Sequence, residues 1–198
     1  MRSISLIGKQ RDQVGKSSAI ALRKSGHIPC VVYGGSETTH FSLDLNTANK
    51  IVFTPAFFRC DIEVNGKIHP SIIKELQFHK LNDSIQHIDF LELVDTKKVI
   101  CDIPLKITGQ AKGLREGGKL LVKIRKIKVK GYPKDLRETI DVNIDHLELG
   151  KSVKIGDIKI EGLEILLNPS IPVASIEVTR ALKSAATEAA KTDAKSKK

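Results

Sequence analysis

Apolar and polar positions alternate along most of this chain, which predicts strands far more often than helices. ISLIG opens the pattern at residues 4–8. HIPCVVYGG then reads as a strand ended by Gly34 and Gly35, and HFSLDL as a strand returning beside it in a hairpin. CDIEV and KIHPSIIKEL flank Asn65-Gly66, and that dipeptide supplies the positive φ angles of a type I′ turn. The helical exceptions are short. KSSAIALRKSG predicts a helix stopped at Gly26, and TANKIVF a second one capped by Asn46 and closed by Pro55.

Beyond Asp95 every periodic segment reads as strand: KVICDIPLKI, KLLVKIRKIKV, ETIDVNI, KSVKIGDIKI and VASIEV, parted by Gly, Pro and Asp turns. The expected organisation is therefore mainly β with short helices, with one domain over 1–95 and a mostly-β domain over 96–180 whose strand spacing suits a sandwich or barrel. From Ala181 to Lys198 the chain is rich in Ala and Lys with no hydrophobic face, and is expected to be a disordered basic tail.

Charge changes this picture in one place. The net formal charge is +10, yet residues 1–95 carry eleven basic side chains against ten acidic ones. Within that near balance, residues 1–24 hold Arg2, Lys9, Arg11, Lys16, Arg23 and Lys24 against Asp12 alone. Such a cluster fits either a polyanion site or a solvated basic surface. Lys16 and Arg23, two turns apart, would lie on one side of the first helix. The run from Lys119 to Lys130 adds Lys123, Arg125, Lys126 and Lys128; it reads as a strand edge guarded by lysine in preference to a second polyanion contact such as RNA.

Candidate chemistry centres on SIQHIDFLEL. Strict alternation puts Ile85, His87, Asp89 and Leu91 on one face and Gln86, Ile88, Phe90 and Glu92 on the other. His87 and Asp89 thus interrupt an apolar row with groups that donate, accept and carry charge. A catalytic dyad, a metal site, an RNA-reading pair and a plain structural pair all begin from that spacing. No nucleophile elbow accompanies the pair, so a cytosolic hydrolase using His87 and Asp89 stays an alternative without a motif. His69, His79, His87 and Asp89 follow no metal-ligand spacing, and VGKSS fails as a phosphate loop because Gln10 stands where its first Gly is required. Cys30, Cys60 and Cys101 lie far apart among strand residues, as core cysteines do. Neither a signal peptide nor a spanning segment is legible, so the expectation is a cytoplasmic protein with no membrane contact, cofactor or small-molecule substrate.

GKSSAIALRKSGHIPCVVYGG, followed some fifty residues later by QHIDF, resembles the amino-terminal domain of the twenty-fifth bacterial large-subunit ribosomal protein family, which binds 5S ribosomal RNA. IPLKITGQAKGLREGGKL, VKGYPKDLRETIDVNIDHLELGKSV and IGDIKI are similar to the extra domain of that family's long form, the general stress protein or CTC type. The resemblance implies an amino-terminal β-barrel with short helices that grips RNA, and a structural, non-enzymatic part in the large ribosomal subunit. Its RNA-contacting positions fall here on Arg11, Lys16, Ser17, Arg23, Tyr33, His87 and Asp89, with Gln77 and His79 added from the preceding strand. Neighbouring ribosomal proteins are implied partners of the second domain. Two positions depart from the family pattern: Ile20 stands where many relatives carry an arginine, and Phe78 replaces a more polar residue between Gln77 and His79. On this reading the basic side chains hold phosphate while His87 and Asp89 face base edges and 2′-hydroxyls in a shallow minor groove.

Overall fold

The computed structural model describes residues 1–179, so the basic tail at 181–198 lies outside the described residues. It divides into two compact units, the first formed by Met1–Cys101 with Lys130–Glu138, the second by Asp102–Val129 with the chain from Thr139 onward.

The first unit runs β1 (Ser3–Gln10), α1 (Lys16–Lys24), β2 (His27–Tyr33), β3 (Thr39–Asp44), α2 (Leu45–Val52), β4 (Arg59–Val64), β5 (Lys67–Phe78) and β6 (Ile85–Glu92). Its strands close into a barrel in the order β1-β3-β2-β6-β5-β4, so none of the six is left as an edge. Local pairs are antiparallel hairpins: β2 with β3, and β4 with β5 across Asn65 (φ 52°) and Gly66 (φ 77°). Closure comes from distant parallel pairs, β1 with β4 and β2 with β6.

Alternation decides the core. Leu6, Ile28, Cys30, Val32, Ile62, Ile88 and Phe90 all point inward and are essentially inaccessible. Phe41 and Phe90 meet there at 5.7 Å between ring centroids, a tilted contact of the kind aromatic quadrupoles favour. Gly8 has no side chain because the Phe41 ring occupies the space: a Cβ built there would stand 2.6 Å from Phe41 Cδ2. Ala48 and Ile51 of α2 join the same core. That helix is capped by Asp44, whose carboxylate accepts the backbone N–H groups of Asn46 and Thr47 at 3.0 and 3.3 Å. The expected cap, Asn46, is instead the second helical residue, because the chain enters the helix straight from β3.

The second unit contains most of β7 (Val99–Thr108), then α3 (Lys112–Arg115), β8 (Lys119–Val122), most of β9 (Lys126–Gly131), β10 (Ile140–Asn143), β11 (Ser152–Lys154), β12 (Leu163–Ile165) and β13 (Pro172–Glu177). The strands form a four-stranded sheet, β10-β7-β9-β12, and a three-stranded one, β11-β13-β8. Ala111, Val142, Ile144, Leu147, Val153 and Ile176 make one core cluster of this unit. KLLVKIRKIKV is not the single strand expected. It breaks at 123–125 into β8 and β9, which belong to different sheets. The cause is visible in the phase of the charges, since Lys119, Lys123 and Arg125 occupy odd positions and Lys126, Lys128 and Lys130 even ones. One straight strand could not send both sets to solvent.

A candidate nucleic-acid interface

β6 lies between β2 and β5, so its outward side chains are framed by theirs. Register puts Asp89 opposite Glu75 on one side and Val31 on the other, His87 opposite Gln77, and Leu91 opposite Tyr33. Partners directly across a ladder leave the sheet on the same face. Tyr33, Glu75, Gln77, His87 and Asp89 therefore share the barrel's outer surface. The register slips by one residue on either side of this block, at Lys74 on β5 and at Gln86 on β6. Such bulges re-aim side chains and free ladder groups for other partners. Ile85, expected beside His87, lies beyond the second slip and is buried in the core at 3% exposure.

The carbonyl of Gln86 accepts a hydrogen bond from Arg23 Nε at 3.1 Å, which ties α1 to β6. The helix needs that tie. It buries no residue, has no acid in its first turn, and has Gly15 at its N-cap position with no side-chain cap. Lys16 and Ser17 are exposed in its first turn. Arg11 serves the loop before it: Nη2 donates to Gln13 O at 3.3 Å and Ser18 Oγ at 3.4 Å, while Nε is buried without a hydrogen bond. Among the described residues Arg23 donates to Gln86 through Nε, and its two outer nitrogens face no other acceptor there, which suits them to an anion.

His87 Nδ1 and Asp89 Oδ1 are 2.6 Å apart, with side chains 26% and 22% exposed. An ionised carboxylate only accepts, so the ring proton sits on Nδ1 and Nε2 is left to meet an outside partner. Burial first, then the charges of Asp89 and Glu75, raise the Tyr33 phenol above its ordinary range, so its hydroxyl stays a donor at neutral pH. The block is therefore a row of fixed polar groups at the surface of a closed barrel, flanked by basic residues on α1. His79 is placed apart from it. Its Nδ1 accepts the Leu81 backbone N–H at 3.3 Å, and its own backbone bonds Ser84 and Asp83, so it organises the turn after β5. Glu75 and the Gln86 carbonyl escaped sequence reasoning, because only the slipped β5-β6 register brings them here. Among the described residues, no group of three or more His, Cys, Asp or Glu stands ready for a metal ion, and no helix is long and apolar enough to cross a membrane.

Two family models match the chain: the Ribosomal L25p family over residues 6–90, and the C-terminal domain of ribosomal protein TL5 over residues 98–180. The large ribosomal subunit protein bL25 of Azobacteroides pseudotrichonymphae is 42% identical over 185 residues, covering 93% of this chain and 98% of that one. The bL25 proteins of Bacteroides thetaiotaomicron and Cytophaga hutchinsonii are 37% and 39% identical, each over 96% of this chain and 100% of their own length. Relatives of this kind are ribosomal proteins and not enzymes, which removes the hydrolase alternative for His87 and Asp89. With both family models and full-length relatives in agreement, the chain belongs to the bL25 family of large ribosomal subunit proteins, in its long, two-domain form.

Proposed function

We propose that this protein is a structural component of the large subunit of cytoplasmic ribosomes and binds 5S ribosomal RNA with the outer face of its first unit. The observation that carries the reading is the His87–Asp89 pair, held at 2.6 Å on the outward side of β6 with Arg23 fixed to the adjacent carbonyl. Lys16, Arg23 and the first turn of α1 hold phosphates, and Arg11 keeps the loop that presents them. His87 Nε2, the second Asp89 oxygen, Gln77 and the Tyr33 hydroxyl face base edges and 2′-hydroxyls. Asp89 belongs on bases and sugars, since a carboxylate repels phosphate. His79 supports the turn and is a peripheral contact. The second domain, read from the sequence as 96–180, meets neighbouring ribosomal proteins.

Binding of the full chain to a 5S RNA transcript, measured across a salt series, tests this assignment. Replacing Lys16 by Ala should weaken binding and flatten the plot of log affinity against log salt by roughly 0.7 to 0.9 for each phosphate no longer neutralised. An unchanged slope in a folded variant refutes the phosphate role of Lys16. Failure of the wild-type chain to bind 5S RNA refutes the function.

A further inference from the structure

Glu75 stands on the proposed RNA face without a partner of its own. It leaves β5 directly opposite Asp89 of β6, while its chain neighbour Leu76 pairs with the buried Ile88, so the Glu75 side chain points away from the core. It is exposed, and among the described residues its carboxylate makes no ion pair or hydrogen bond. Residues directly across a ladder have Cβ atoms about 5 Å apart, and like charges so placed destabilise a sheet. Burial first, and then both carboxylates, raise the Tyr33 phenol, which puts the two charges near the same ring. An acid pair that weakens its own sheet, on a face turned toward a polyanion, calls for a ligand that supplies donors.

Acceptors crowd the centre of this face. Glu75 offers two carboxylate oxygens, Asp89 the oxygen that His87 does not hold, and His87 Nε2 a lone pair when Nδ1 carries the proton of the neutral ring. Phosphate brings only acceptors and is repelled here. In the shallow groove of an RNA helix, Watson–Crick pairs turn mostly acceptors outward, and the guanine N2 amino group is the single base-edge donor. We infer that Glu75 is a specificity residue of the RNA site: with Asp89 it forms an acceptor pair that selects a guanine by its N2 amino group. The inference rests on the RNA-binding reading above and adds to it a residue and a base. An amino group shared by the two carboxylates offsets their repulsion, whereas a base edge without that donor leaves them desolvated and unpaired.

Two changes remove the contact from opposite sides. Glu75→Gln keeps the shape of the side chain but exchanges an acceptor oxygen for an amide donor, and inosine in place of guanosine removes the N2 amino group alone. In the full chain, Glu75→Gln should melt at the wild-type temperature or above it, because repulsion from Asp89 is relieved. It should nevertheless bind 5S RNA at least about fivefold more weakly, with little change in salt slope. Synthetic 5S RNA fragments carrying one inosine at a time, at each guanosine that the wild-type chain shields from nuclease, identify the base. One of them should weaken wild-type binding to a similar degree and weaken Glu75→Gln no further. Unchanged affinity of Glu75→Gln overturns the inference and leaves the RNA reading intact. So does a loss of affinity that comes with a lowered melting temperature, which makes Glu75 structural. If the loss from Glu75→Gln simply adds to that from every inosine, the guanine assignment is overturned in favour of a 2′-hydroxyl or a bridging cation. Absence of 5S binding by the wild-type chain brings down the function itself and the inference with it.

Discussion

At the scale of single residues, space and charge make separate predictions. Gly8 is required because Phe41 fills the position of its missing side chain. Gly8→Ala forces the ring or the β1 backbone to move, and overpacking of that kind costs about 1 to 3 kcal/mol. Chemical denaturation should show the loss, with the m-value unchanged. Burial also raises the Cys60 thiol from 9.0 to about 12, and shifts the Cys30 thiol upward as well. The folded chain keeps protons that the unfolded chain releases, so this contribution to stability is complete below pH about 9 and is lost as pH rises toward 12. A melting temperature that holds constant from pH 8 to pH 11 would contradict it.

At the scale of elements, the legible parts of the fold were those written in a few adjacent residues. Asn65-Gly66 announced its hairpin, and Gly26, with φ 79°, announced the end of α1, since both positions need backbone angles that other residues adopt at a cost. That His87 and Asp89 share a face followed from alternation alone; that this face is the barrel's outer one did not, since alternation grouped them with the buried Ile85. What could not be read was register. The slips at Lys74 and Gln86 have no signature in composition, yet they bury Ile85, set Glu75 opposite Asp89 and release the carbonyl that anchors Arg23. The parallel closures of β1 on β4 and β2 on β6 join segments too distant for any local pattern to couple. The cap of α2 was misplaced by two residues for a related reason: Asp44 and Asn46 are both capping types, and only the end of β3 decides between them. Asp44→Ala should cost about 1 kcal/mol, while Asn46→Ala should cost little; reversed losses in thermal melts would refute the assignment.

At the scale of the whole molecule, the first unit borrows sequence from the second half. Residues of the Lys130–Glu138 segment belong to it, and Glu138 accepts from the Arg2 backbone N–H at 2.6 Å through its side chain and from Phe57 N–H at 3.4 Å through its backbone carbonyl. A fragment ending at residue 95 keeps all six barrel strands and every proposed contact residue, but lacks that segment. It should therefore bind 5S RNA about as tightly as the full chain while melting at a lower temperature. Binding weakened tenfold or more in the folded fragment, about 1.4 kcal/mol, would place RNA contacts in the second half.

If the polar face of this closed barrel, anchored by His87 and Asp89, reads RNA, the most direct test is Asp89→Asn, with melting temperature and 5S RNA affinity measured on the same sample. The substitution preserves shape but exchanges an acceptor for a donor, so specific binding should weaken by about 1 to 3 kcal/mol with little change in salt slope. A simple charge argument predicts the opposite sign, because removing a negative group beside RNA would strengthen binding. Unchanged affinity with a lowered melting temperature would make the pair structural and contradict the reading role assigned to Asp89.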